Sequence, residues 1–263
     1  MNTLYRTTGF VLSKRDYKEV DRWYILYTKE FGKKSVLARG GHKPLAKLTP
    51  HLEMVAQTDF LLVNGRAYPT VAGVERRKTY PSIYTDVSKI TLAQNALSLV
   101  DIGTRESEPD EKIFDLLDVY LEELQEMPEL SSRRASLLLG SFTLKLMSLI
   151  GYQPELDQCL QCRIVITPKQ YKWHSLKGGV VCIPCTKKQD DQWFSAREIS
   201  DESIKLLRFA RKGTFEDQLK PTLSHDQLSQ FHEALESLII NHFPTIPANS
   251  LAHSCSLIDA CST

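Results

Sequence analysis

Cys159-Leu-Gln-Cys162, followed nineteen residues later by Cys182-Ile-Pro-Cys185, is the stretch that decides how the second half of this chain is built. Two thiolates three positions apart can turn inward and share one ion, and a second such pair completes a tetrahedral set with Zn–S bonds of about 2.3 Å. Between the pairs the sequence reads as a small ribbon. Ile164-Val165-Ile166 is expected as one short strand and Tyr171-Lys172-Trp173 as another, with Gly178-Gly179 turning the chain into Val180-Val181. Four protein ligands leave no open coordination position, so the spacing predicts one structural zinc ion per chain, held by Cys159, Cys162, Cys182 and Cys185. Two rivals stay open on spacing alone. Cys182-Ile-Pro-Cys185 by itself has the outline of a thioredoxin-like redox pair, which leaves the upstream pair unexplained. A disulfide framework wants a secretory context, and Met1-Asn-Thr-Leu-Tyr-Arg lacks the apolar core of a signal peptide.

Working outward, the 263 residues suffice for two or three small domains. Hydrophobic residues at 42% and charged residues at 25% are ordinary for a globular protein. The longest apolar uncharged run, Ala135 to Leu144, is ten residues, far short of a membrane span. Net charge is only +1, but it is unevenly spread. Residues 1–80 hold 15 Lys/Arg against 7 Asp/Glu, net +8, whereas residues 81–150 hold 6 against 12, net −6. A basic first third followed by an acidic segment points to separate modules with separate partners. Cys255 and Cys261, in a polar tail, are expected to be free thiols in a reducing cytoplasm.

The first 80 residues read as five short strands. Residues 4–12, 22–28 and 35–39 are rich in β-formers, with a charged loop expected from Lys14 to Asp21. Glu53 to Val63 and Tyr68 to Val74 flank the hairpin signal Asn64-Gly65, and Lys43 to Leu52 is expected as a short helix or loop. Five strands in so short a span predict an OB-fold barrel over residues 1–80, an architecture whose strands 2–3 and loops bind oligonucleotides. Lys14, Arg15, Lys33, Lys34, Arg39, Lys43 and Lys47 fall on its loops and turns and are the expected DNA contacts. Tyr17, Trp23, Tyr24, Tyr27 and Phe31 lie among them. Cations along phosphates with aromatic platforms under bases is how single strands are held without sequence readout. Some of these rings must instead fill the barrel: strand alternation sends Trp23 and Ile25 to one face, Tyr24 and Leu26 to the other.

From Pro81 the period becomes helical. Val87 to Val100, a stretch opened by Pro109 and stopped by Pro128, and Ser131 to Ile150 each carry an apolar stripe, the last so broad that it should be the buried centre of its domain. Beyond the ribbon, Ser200 to Arg211 reads as a helix, and Ser224-x-x-Gln227 is a capping box opening another. The expected class is therefore α+β: a barrel over 1–80, then a helical domain over 81–263 with a zinc module inserted at about 152–190.

No phosphate-binding loop, nucleophile elbow or H-E-x-x-H motif is present, and no catalytic residues are expected. Pro109-Asp110-Glu111-Lys112 has the outline of a nuclease fragment, but a helix start with acids in its first turn explains it. An alternative reading keeps an enzyme in view, a zinc-ribbon nuclease or ligase accessory with cryptic residues.

With these pieces assembled, the chain resembles the bacterial recombination mediator family RecO over nearly its whole length. The resemblance is carried by Gly9-Phe-Val-Leu-Ser-Lys-Arg15-Asp-Tyr17, Thr28-Lys-Glu-Phe-Gly32-Lys33, and Ala38-Arg39-Gly40-Gly41-His42-Lys43-Pro44. It is most specific at Gly151-Tyr152-Gln-Pro154-Glu-Leu-Asp-Gln-Cys159-Leu-Gln-Cys162, with Asn249-Ser250-Leu251 resembling the family's tail. It implies binding of single- and double-stranded DNA, annealing of complementary strands, and loading of recombinase onto strands coated by single-strand binding protein. It also implies a complex with RecR, often alongside RecF, in a cytoplasmic, nucleoid-associated protein with no membrane partner.

Overall fold

The computed structural model describes residues 4–40, 52, 54–65, 67–128, 130–167 and 170–243. Two compact units divide it, Met1–Pro128 and Glu129–Thr263.

In the first unit, β1 (Leu4–Tyr17), β2 (Asp21–Thr28), β3 (Gly32–Ala38), β4 (Ala56–Asn64) and β5 (Pro69–Thr79) close into a barrel in the order β1-β2-β3-β5-β4. All neighbours are antiparallel except β3 and β5, which meet in parallel at Leu37 and Thr70. This is an OB-like barrel. Alternation along the strands sends Val11, Tyr24, Leu26, Val36, Phe60, Leu62 and Val71 into the barrel core. Two strands outrun their expected ends. The charged stretch expected as a loop from Lys14 is strand as far as Tyr17, paired with Asp21 to Tyr24. A two-stranded ribbon can keep charged side chains in water on both faces, so its composition does not betray it. β5 likewise continues to Thr79.

Three helices follow in the same unit, α1 (Pro81–Tyr84), α2 (Val87–Gly103) and α3 (Glu111–Glu126). Asp86 caps α2 by accepting the backbone N–H groups of Ser88 and Lys89, and Asp110 caps α3 through Lys112. Pro109 thus sits one residue before the cap. These helices cover one end of the outer face of β1–β2–β3. Phe10, Tyr27 and Lys33 form one cross-strand row. Above that row lie the Phe114 ring, 5.2 Å from Phe10, the Asp110 carbonyl, which accepts from Tyr27 Oη at 3.2 Å, and the Asp101 carboxylate, 2.6 Å from Lys33 Nζ. The connector 104–109 lies along the start of β3. Ser107 N–H donates to the Lys33 carbonyl at 2.9 Å, and Ser35 N–H donates to Glu106 Oε1 at 3.2 Å. An edge that would otherwise present unpaired backbone groups is covered this way. The compact division therefore falls after Pro128, later than the change from strand to helix at Pro81.

In the second unit, α4 (Ser132–Leu149) is buried along most of its length and packs against α7 (Asp201–Lys212) and α8 (His225–His242). Ser141 Oγ donates to the Ala210 carbonyl at 2.7 Å, which lets a polar residue sit inside the bundle. Ser136 Oγ and His232 Nε2 meet at 2.8 Å. The capping box is formed in full: Ser224 accepts from Gln227 N–H while the Gln227 side chain accepts from Ser224 N–H. Between α4 and α7 stands a three-stranded sheet in the order β7-β6-β8, built from β6 (Tyr171–His174), β7 (Gly179–Cys182) and β8 (Arg197–Ile199). Two short helices, α5 (Ile183–Lys188) and α6 (Asp190–Trp193), link β7 to β8. Among the described residues, no helix is long and apolar enough to cross a membrane.

Candidate metal centre and nucleic-acid interface

The cysteine cluster is assembled from two kinds of turn. The first pair sits in a knuckle in which Cys159 N–H donates to the Ile164 carbonyl at 2.9 Å and Arg163 N–H to the Cys159 carbonyl at 3.0 Å. Arg163 takes a left-handed φ of 58° to close it. The second pair straddles the end of β7 and the first turn of α5, where Pro184 fixes the helical φ. The hairpin β6–β7 needs a tight reversal, supplied by Gly178 at φ +63°.

These turns bring four sulfurs within 4.8 Å of one another. Cys159 Sγ lies 3.7 Å and Cys162 Sγ 3.8 Å from Cys182 Sγ. A tetrahedron with metal–sulfur bonds of about 2.3 Å has sulfur–sulfur edges of about 3.8 Å. A disulfide would require about 2.05 Å. The residues present therefore fit a tetrahedral metal ion, and among the described residues they are the one His/Cys/Asp/Glu group placed to hold one. Cys159 is wholly buried and Cys162 exposed; Val181, Trp193 and Ala196 pack around the buried sulfurs.

The electrostatics of the bare thiols argue the same way. Burial pushes the Cys159 thiol up, but N–H groups of Cys162, Cys182 and Gln161 outweigh it and bring it down to about 7. Burial raises Cys182, and burial with the neighbouring sulfurs drives Cys185 up to about 12. One thiolate is welcome and four repel each other unless a cation sits among them. His174 is not a spare ligand. Its Nδ1 accepts from Lys177 N–H at 3.2 Å, so its Nε2 carries the hydrogen toward Ser195 Oγ, 3.2 Å away.

The ribbon differs from its expected form. Ile164-Val165-Ile166 is not a strand; Val165 makes one isolated bridge to Gln158, and Ile164 and Val165 are exposed. The knuckle uses up the backbone groups that a strand would need. The third strand is β8, which the sequence reading does not include, because three residues carry no period.

The expected DNA-contacting residues separate into three groups. Lys14 and Arg15 stand exposed on the projecting half of β1, and exposed Arg39 follows Ala38, which pairs with Arg22 on β2. Gly40 N–H donates to Asp21 Oδ1 at 2.8 Å, so this end of β3 lies against the β1–β2 turn, where Lys18 is also exposed. Lys33 and Lys34 are turned elsewhere. Lys33 is ion-paired with Asp101 and bonded to the Asp101 and Thr104 carbonyls, and Lys34 Nζ donates to Ser107 Oγ at 3.0 Å. A cation already satisfied by a half-buried carboxylate has little to offer a phosphate. Lys43 and Lys47 lie outside the described residues, as do Cys255, Cys261 and the 249–251 stretch.

Of the aromatics, Tyr24 and Tyr27 are fully buried and Phe31 packs edge-on against Tyr5 at 4.9 Å. Trp23 and Tyr17 are half-exposed, their rings 5.8 Å apart. Tyr68, which reads in the sequence only as a strand residue, lies 4.9 Å from Trp23. Its position just after the Asn64-Gly65 turn is the available signal.

Comparison with known proteins extends over nearly the whole chain. The family described as "Recombination protein O N terminal" matches residues 1–80, and "Recombination protein O C terminal" matches residues 84–252. A protein of Alkaliphilus metalliredigens named "DNA repair protein RecO" is 28% identical over 248 residues, covering 94% of this chain and 97% of its own. Proteins of the same name from Syntrophus aciditrophicus and Pelotomaculum thermopropionicum are 30% identical over 250 residues and 32% over 182. The first of these covers 92% of both chains; the second covers 69% of this chain and 68% of its own. With both family matches laid end to end on the barrel and on the helices that bear the cysteine centre, the chain belongs to the Recombination protein O (RecO) family of DNA repair proteins.

Proposed function

We propose that this chain binds single- and double-stranded DNA through the basic end of its barrel, pairs complementary strands, and helps load recombinase onto strands coated by single-strand binding protein. The observation that carries the reading is the exposed cation set Lys14, Arg15, Lys18 and Arg39 gathered at one end of a barrel in a RecO-family chain. Two DNA strands repel, and a protein that neutralises phosphates on both lowers that repulsion while base pairing drives the reaction. No covalent step and no nucleotide is involved. Lys43 and Lys47 complete the proposed contact set, while Lys33 and Lys34 brace β3 against the 101–107 segment. RecR and single-strand binding protein are the proposed partners, in the bacterial cytoplasm.

In the same proposal the cysteine centre holds one structural zinc ion through Cys159, Cys162, Cys182 and Cys185. The ion supplies the charge that lets four thiolates coexist; the chain's own knuckle and hairpin set their spacing. It ties residues 159–163 to β7, so that metal binding and local folding are coupled.

Pairing of complementary strands pre-coated with single-strand binding protein tests the function. Addition of this protein without ATP should speed duplex formation, and no acceleration at any concentration would overturn the annealing role. Exchanging Arg15, Arg39, Lys43 and Lys47 together for Ala should weaken binding alike for all sequences. For every phosphate that is no longer neutralised, the salt slope on single strands should flatten by ~0.7. Metal analysis of freshly purified protein should return about one zinc per chain; none would overturn the zinc assignment.

A further inference from the structure

The outer face of β1–β2–β3 is closed at one end and open at the other. Along β2, alternate residues Trp23, Ile25 and Tyr27 share this face. Tyr27 is fully buried, Ile25 half-buried, and Trp23 half-exposed. At the open end three rings meet. Trp23 and Tyr17 approach at 5.8 Å and 65°, Trp23 and Tyr68 at 4.9 Å and 69°. Edge-on arrangements of this kind engage one face of one ring each and leave other π surface free.

The charges around the rings are those a nucleic acid strand requires. Arg15 is the direct cross-strand partner of Trp23 and shares its face, whereas exposed Lys14, the partner of Tyr24, projects from the opposite face of the same ribbon. The Lys18 ammonium lies 5.2 Å from the Tyr17 ring centre. Arg39 follows the β3 residue that pairs with Arg22. Of the acids nearby, Asp16 is tied to Arg22 at 2.7 Å and Asp21 accepts from Gly40; Glu19 remains exposed at the turn. Rings come from both the β1–β2 hairpin and the β4–β5 hairpin, the two loops that flank the ligand face of an OB-fold.

We propose that Trp23, with Tyr17 and Tyr68, is a stacking platform for unpaired bases, so that this end of the barrel takes single-stranded DNA by its bases and not by its phosphates alone. The proposal rests on the DNA-binding reading above and gives it a substrate form. Duplex DNA hides its base faces and can use only the cations; a single strand can use both. Tyr24, Tyr27 and Phe31, equally plausible in the sequence, are spent on packing.

The test compares a labelled oligo(dT) with a duplex of equal length, by fluorescence anisotropy across a range of salt. Trp23→Leu keeps apolar bulk but removes the ring, and should weaken oligo(dT) binding about tenfold while leaving its salt slope and the duplex affinity unchanged. Trp23→Phe should recover most of the loss. Thermal unfolding checks that each variant folds; if Trp23→Leu does not, Tyr68→Leu and Tyr17→Leu read the same surface from its rim. A second readout is the tryptophan emission of the protein itself. Trp173 and Trp193 are buried, so oligo(dT) should quench the emission of Trp23, and Trp23→Phe should abolish that quenching. Equal losses on oligo(dT) and duplex, or no loss on oligo(dT), would overturn the stacking role. A native protein that binds neither ligand would instead remove the DNA-binding reading itself.

Discussion

Gly32→Ala is the substitution whose cost can be worked most directly from the geometry. Gly32 has φ +64°, and a β-carbon built there would lie 2.3 Å from the Glu108 carbonyl oxygen and 2.7 Å from Pro109 N. Both are backbone atoms, so no rotamer change relieves the clash. The left-handed conformation alone costs an Ala about 1 kcal/mol after the entropy it removes from the unfolded chain is credited. The connector 104–109 must then lift from β3. That breaks the bond from Ser107 N–H to the Lys33 carbonyl, worth about 1 kcal/mol, and two surface bonds, from Ser35 to Glu106 and from Lys34 to Ser107, worth about half that each. The total is about 3 kcal/mol. Gly178→Ala is the reference, because Gly178 has φ +63° with nothing within 4 Å of the added carbon, so only about 1 kcal/mol is expected. At about 4 °C per kcal/mol the two variants should lose ~12 °C and ~4 °C. Thermal unfolding followed by hydrogen exchange, read peptide by peptide, assigns each loss to its own compact unit. Peptides covering 32–38 and 104–110 should lose protection together in Gly32→Ala. Equal losses for the two glycines, or an undisturbed 104–110 segment, would refute the close approach as the cause.

Three further outcomes are expected. Burial pushes His232 down to about 4 from its ordinary 6.5, so the unfolded chain takes up a proton that the folded chain refuses. Stability is therefore full above pH 6.5 and falls between pH 6.5 and 4, by about 2 kcal/mol at pH 5; urea midpoints at pH 7 and 5 should converge toward each other in His232→Leu. Lys89 is buried and donates to Ser82 Oγ at 2.9 Å and to the Gln125 and Met127 carbonyls, closing the C-terminal end of α3. Lys89→Met should cost about 2 kcal/mol in a urea titration; an unchanged midpoint would mean that relief of burying the ammonium cancels the broken bonds. Cys185→Ser should lower zinc content and open residues 159–163 and 179–188 to protease, whereas the same cleavage pattern with and without chelator in the native protein would make the metal dispensable.

Much of this is legible in the residues because local signals agree with global ones. The four cysteines carry their geometry in their spacing, and Ser224-x-x-Gln227 specifies its own helix start. Asn64-Gly65 marks the hairpin, and alternation places Trp23 and Tyr24 on opposite faces. What is not legible depends on residues distant in sequence. Nothing near Lys33 announces that Asp101, sixty-eight positions on, will claim its ammonium. Ile164-Val165-Ile166 has strand composition, but the turn closing around Cys159 takes its backbone partners. β8 is too short for a period to show, and Tyr68 matters only because β4 and β5 return it to Trp23.

The helical cover over Phe10, Tyr27 and Lys33 bears on how such a protein can be inherited. Family resemblance divides this chain near residue 80, beneath that cover, while the compact unit runs on to Pro128. A gene exchange that moved only the first 80 codons would deliver a barrel with Phe10 and Tyr27 facing water and the start of β3 uncovered, a template for aggregation. The heritable piece is therefore the longer one. Residues 32–35 and 101–109, some seventy positions apart, are bonded to each other, so a change of shape on one side is felt on the other.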